Sequence, residues 1–350
     1  MKSKWISLTL VSVLAFSLVL SGCSKPEKDQ IPEAVETPVS SDDAGSFPIV
    51  IEHAFGETVI NEKPERIAAI SWGNQDVPLA LGLIPVGVSE ANYGVIDGSG
   101  LLPWTLDKFE ELGEPEPVLF DDVAGIDYEG INDAKPDVIL AAYSGITQEE
   151  YELLSEIAPV IAYPDQPWQT YWRDQILMDA KGIGMEAEGK ELVGELEELI
   201  LEKKEQYPDV AGKSAAFFYF SPQDLSKFYI YLPSDPRVAY LEDLGMIMPE
   251  SVEKLALENE SFAIELSAEN VDMIQDMDIM ITYGNGELMD ILKNDPLIGT
   301  IPAVIRGSVA VIEDGTPLAA SGTPSALSIP HTIDEYLKII DAAASKVDEE

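Results

Sequence analysis

The chain has 350 residues, and its 64 acidic side chains against 21 basic ones give a formal charge of −43. That charge excludes nucleic acid as a partner, since a phosphate backbone needs a basic footprint. One cysteine, Cys23, excludes a disulfide within the chain, and two histidines, His53 and His331, exclude a zinc or manganese centre built on three imidazoles.

In chain order the first feature is an export signal over residues 1–22. Lys2 and Lys4 precede an apolar stretch, Trp5–Leu20, which is shorter than the roughly 20 apolar residues that span a bilayer comfortably. Leu20-Ser21-Gly22-Cys23 resembles the lipobox of bacterial lipoproteins. The resemblance implies cleavage before Cys23, diacylglycerol on its thiol, and a mature chain held at the outer face of the cell membrane by that lipid. Residues 23–47, rich in Pro, Ser, Glu and Asp, read as a disordered tether.

From residue 48 onward short apolar runs alternate with helical patterns, the signature of α/β architecture. In a first lobe, 48–166, strands are expected at Arg66–Ser71, Pro85–Ser89, Asp137–Tyr143 and Val160–Tyr163, with helices such as Gln75–Leu81 and Thr147–Ile157 between them. A helical region, 167–210, follows, with one helix at Pro167–Lys181 and a second at Glu186–Gln206. The second carries Leu192, Leu196 and Leu199 on one face and would run about 30 Å, enough to cross between lobes. In the second lobe, 211–350, strands are expected at Ser214–Phe220, Phe228–Leu232, Asp278–Tyr283 and Ser308–Ile312, with helices at Arg237–Leu244, Ala268–Gln275 and Thr332–Ala344. The fold class is therefore α/β: two Rossmann-like lobes with parallel-type sheets joined by a single long helix.

Ligands of open α/β sheets sit beyond the carboxyl ends of the strands. Reading the residues at those ends collects Trp72, Asn74 and Tyr143 from the first lobe and Trp168, Trp172 and Arg173 from the linking region. Phe220, Tyr231, Arg237 and Tyr283 come from the second lobe. The recurrence of aromatics on both sides of one cleft favours a large, partly apolar ligand. Only four arginines occur; Arg66 and Arg306 precede strands, whereas Arg173 and Arg237 fall near the cleft mouth, where they would suit an anionic or oxygen-rich ligand. Motifs of hydrolases, phosphate loops and zinc peptidases are absent from the sequence, so binding is favoured over catalysis, with no cofactor and no resident metal.

The segments "INEKPERIAAISWGNQDVPLALGLIPVGVS", "YEGINDAKPDVILAAYSG", "YELLSEIAPVIAY" and "NDPLIGTIPAVIRGSVAVIE" together resemble the iron–siderophore-binding lipoproteins of bacterial ABC importers. The resemblance implies the helix-linked class of substrate-binding proteins, a monomer that captures a ferric siderophore between its lobes and delivers it to an ABC-importer permease. It leaves the siderophore's chemistry open, along with cobalamin or haem, which relatives of the same fold bind. It also implies that one glutamate per lobe meets the permease, here Glu129 in "DYEGI" and Glu269 in "SAENV".

Overall fold

A computed structural model describes residues 47–347 except 97, 123 and 124; Cys23 and the leader lie outside the described residues. Twelve strands are described. A hairpin of β1 (Ile49–His53) and β2 (Gly56–Ile60) precedes a five-stranded sheet of β3 (Ile67–Ala69), β4 (Gly87–Ser89), β5 (Leu119–Phe120), β6 (Val138–Ala141) and β7 (Val160–Ala162). Its order is β5-β4-β3-β6-β7, parallel throughout. β3, β4, β6 and β7 are buried along their whole length, which is why they read as continuous apolar runs without alternation.

The second sheet comprises β8 (Ala215–Ser221), β9 (Asp224–Tyr231), β10 (Ala263–Ser267), β11 (Ile279–Gly284) and β12 (Val309–Glu313), in the order β10-β9-β8-β11-β12. It is mixed, where a parallel-type sheet was expected. β8, β11 and β12 are parallel, but β9 is antiparallel to β8 and β10 is antiparallel to β9. Only Pro222 and Gln223 separate β8 from β9, and a parallel crossover needs a dozen residues or more.

The segment expected to be one helix from Pro167 becomes helical only at Trp172, because Trp168 takes a left-handed backbone (φ 62°). The helix Trp172–Gly182 then packs along the 20-residue helix Glu186–Glu205. That helix buries Gly189, Leu196 and Ile200 at helical spacing, and its other end meets the C-terminal helix Ser328–Ala344, where Lys203 Nζ lies 2.6 Å from Asp334 Oδ2. Ile329, Ile333, Tyr336, Leu337, Ile340 and Ala344 make the buried stripe of the C-terminal helix.

One apolar cluster runs through this arrangement without a break. Val77, Trp172, Ile176 and Ala180 from the first sheet's helices share it with Phe217, Ile281 and Ile312 of the second sheet and with the C-terminal helix. Beside it, Asp76 is fully buried. Its carboxylate accepts from Trp104 Nε1 (3.1 Å), Thr105 Oγ1 (2.9 Å) and, from the second half, Ser325 Oγ (2.5 Å). No helix among the described residues is long and apolar enough to cross a membrane.

Candidate functional site

A cavity of about 550 Å³ opens between the two sheets, inside the range of small-molecule sites. Trp72, Tyr93, Tyr143 and Trp168 line it from the first half, and Tyr219, Tyr231, Phe262 and Tyr283 from the second. Arg237, Asp314 and Thr323 supply polar atoms. The strand ends explain the convergence. Trp72 sits on the turn after β3, Tyr143 follows β6, Tyr283 is near the end of β11 and Asp314 follows β12.

Trp168 stands edge-on to Tyr143, with ring centroids 5.4 Å apart. Gly145 makes room for it, since a Cβ there would come within 2.2 Å of the indole nitrogen. Phe217 wedges between Tyr231 and Tyr283, at 5.5 and 5.0 Å, so the second half's aromatic wall is backed by core. Across the mouth, Tyr93 Oη donates to Asp314 Oδ1 (2.5 Å) and accepts from the Gly315 N–H (3.1 Å), joining the two halves. Burial pushes the phenols of Tyr93, Tyr143, Tyr231 and Tyr283 up, so all four stay protonated, with the Tyr93 proton already given to Asp314.

Arg237 is fixed by its helix start. Asp235 caps the helix Pro236–Asp243 by accepting the Arg237 N–H, and it also takes Arg237 Nε and Nη2 at 2.7 and 2.6 Å. The guanidinium lies 4.1 Å over the Tyr231 ring. Burial alone would depress its pKa, but the charge of Asp235 and the hydrogen bond to it hold Arg237 well above the ordinary arginine value. Asp235 itself is fully buried, so the arginine's charge is already matched before any ligand arrives.

Of the ten residues expected at the cleft, Trp72, Tyr143, Trp168, Tyr231, Arg237 and Tyr283 line the cavity. Four do not. Arg173 is drawn away to Asp243 Oδ2 (2.9 Å) and Glu197 Oε1 (2.6 Å), and Trp172 is buried with its Nε1 on the same Asp243. Phe220 points to the opposite side of the second sheet, against Phe218 and Phe228, because successive strand residues alternate faces; its neighbour Tyr219 faces the cavity instead. Asn74 is fully buried and bonds to backbone. Of the two arginines expected at the cleft mouth, Arg237 alone lines the cavity. Tyr219 could have been found from strand alternation. Tyr93, Phe262, Asp314 and Thr323 lie outside strands and helices and carry no periodic signal.

Glu129 is exposed in the first turn of the helix Tyr128–Ala134 and Glu269 in the first turn of the 3₁₀ helix Ala268–Met273. Among the described residues no group of three or more His, Cys, Asp or Glu could hold a metal ion.

The structure of PiaA from Streptococcus pneumoniae TIGR4 in complex with ferrichrome is similar, with 51% sequence identity and a TM-score of 0.83, covering 85% of this chain and 99% of that one. SirA of Staphylococcus aureus complexed with staphyloferrin B shares the fold at 22% identity and a TM-score of 0.61, over 86% of this chain and 99% of SirA. Among sequences, the probable siderophore-binding lipoprotein YfiY of Bacillus subtilis is 24% identical over 95% of this chain and 98% of its own length. The periplasmic binding protein family profile matches residues 67–315, well over half of the chain and both sheets. With two α/β halves around one aromatic cleft, the chain belongs to the periplasmic binding protein family.

Proposed function

We propose that the cleft takes a ferric hydroxamate siderophore, electroneutral as a complex, and that the chain carries it to an ABC-importer permease without transforming it. The carrying observation is an aromatic cavity whose single arginine is already neutralised by Asp235. A ferric ion bound by three hydroxamates has no net charge and presents an organic shell with carbonyl oxygens at its surface. The aromatic rings suit that shell, and the neutral phenols with Arg237 suit those oxygens. Ferric citrate or a tris-catecholate would bring negative charge to a cleft that also holds Asp314. The 51% identity to the ferrichrome-bound PiaA supports the same reading.

Quenching of tryptophan fluorescence during titration with ferric trihydroxamate, ferric tris-catecholate, ferric citrate, cobalamin and haem tests it. Saturable tight binding of the hydroxamate alone is expected. Preference for any other member of the panel would overturn the assignment.

The chain is proposed to act outside the cytoplasmic membrane as a monomer, held by lipid on Cys23, with Glu129 and Glu269 meeting the permease. The exposure of both glutamates, one in each half, supports the docking role. Exposed charges govern encounter more than fold. A Glu129→Ala, Glu269→Ala double variant should keep its affinity and melting temperature while losing uptake in cells, and Cys23→Ala should release the folded protein from membranes. Normal uptake by the double variant at limiting siderophore would remove these glutamates from the interface.

A further inference from the structure

We propose that Asn74 and Gln175, neither of which lines the cleft, are positioning residues that hold Trp72 and Tyr143 in place for the ligand. The proposal rests on the reading that those two aromatics contact it. Both polar side chains are buried, Asn74 completely and Gln175 to 3% exposure. Gln175 Nε2 donates to the Trp72 carbonyl (3.0 Å) and to Asn74 Oδ1 (3.0 Å). The Asn74 amide then clasps the other aromatic by its backbone: Oδ1 accepts the Tyr143 N–H (3.0 Å) and Nδ2 donates to the Tyr143 carbonyl (3.0 Å). Nδ2 also reaches the Ile70 carbonyl at 2.7 Å.

The location gives these bonds their consequence. β3 and β6 pair through Ala69 and Leu140, and the chain past their ends needs new partners for its peptide groups. Asn74 supplies them, acting as an extra rung between the two strand ends. The turn it stabilises is a demanding one. Ser71 has φ 66° and Gly73 φ 72°, and a non-glycine residue keeps a left-handed backbone only where its surroundings fix it. Gln175 approaches so closely that a Cβ on Gly73 would lie 3.4 Å from its Nε2. Gln175 stands on the helix Trp172–Gly182, whose Trp172, Ile176 and Ala180 are buried in the apolar cluster shared by both halves. Through two amides, the cleft wall of the first half is referenced to the core that also carries the wall of the second.

Gln175→Met keeps length and removes both donated bonds without adding charge. Asn74→Leu keeps the side chain's size, adds no charge and removes the amide's bonds to Ile70 and Tyr143, and serves should the first variant fold poorly. Each is labelled with 5-fluorotryptophan, with the Trp72 fluorine resonance assigned through Trp72→Phe. In the folded variants the Trp72 resonance should shift or split, and the Kd for a ferric trihydroxamate should rise on the order of tenfold. A lower melting temperature with unchanged Kd and an unmoved Trp72 resonance would reduce the pair to ordinary core residues and overturn the proposal. Failure of the unmutated protein to bind the hydroxamate would strike the ligand reading instead, and the resonance would still decide the positioning.

Discussion

Arg173 and Arg237 carry the same group near the ends of neighbouring elements, and their surroundings give them different tasks. Arg173 spends its guanidinium on Asp243 and Glu197 and on the face of Trp172, whereas Arg237 lines the cleft in a fork with buried Asp235. Isothermal titration should therefore show Arg173→Ala binding within about 0.5 kcal/mol of the unmutated protein and Arg237→Ala weaker by about 1.5–3 kcal/mol, the worth of a hydrogen bond from a charged donor. Equal losses would contradict the division. Asp76 offers a test in pH. Burial pushes its carboxyl from the ordinary 3.8 up to about 6, against hydrogen bonds from Ser325, Thr105, Trp104 and Gln75 that pull it down. An acid whose folded value is raised contributes its full stability below the unfolded value and loses it as pH rises through the folded one. The loss here is about 3 kcal/mol in all, complete above roughly pH 7. Asp179, likewise pushed up by burial, adds a slope of the same sign, so the measurement is a difference: Asp76→Asn should lose less stability than the parent between pH 5 and 7. Much of this scale was closed to the sequence. Side-chain type and strand end placed six cleft residues, but the choice between Tyr219 and Phe220 needed the strand's register. The fate of Arg173 needed Asp243, seventy positions away.

Among elements, the buried parallel strands and the long helices were legible, because apolar runs and helical spacing are local signals. β10 was not, although Ile264 and Leu266 pack against the core while Glu265 and Ser267 are exposed, because an alternation of five residues at a sheet edge is too short to stand out. The reversal at β9 was legible in principle from the two-residue connection, which only a hairpin can use. The packing of the 20-residue helix turns on a residue that propensity would remove. Gly189 lies against Ala180, and an added Cβ would come within 2.4 Å of the Ala180 Cβ. Gly→Ala inside a helix gains roughly 0.5–1 kcal/mol from backbone entropy, while forcing a methyl into a packed contact costs about 1–3. Contact wins, so Gly189→Ala should lower stability in urea titration. Gly194 has open space at its Cβ position in the same helix, so Gly194→Ala should raise it.

For the molecule as a whole, the unbroken cluster through Val77, Trp172, Phe217 and Ile281 restricts how the two sheets can move. Separating them would expose that cluster, at about 25 cal/mol for each Å² of apolar surface, and would also break the Asp76–Ser325 bond. Small-angle scattering should give nearly the same radius of gyration with and without ligand; a large compaction on binding would contradict a rigid pair. The extent of this shared core was not legible beforehand, because it joins positions more than two hundred residues apart. It also dictates how the chain comes undone. With one apolar cluster bridging the sheets, heat should melt both in one cooperative event, with calorimetric and van 't Hoff enthalpies in agreement. A ligand held at a hundred times its Kd would then protect every residue of the folded body by about 2.7 kcal/mol, including strands it never touches.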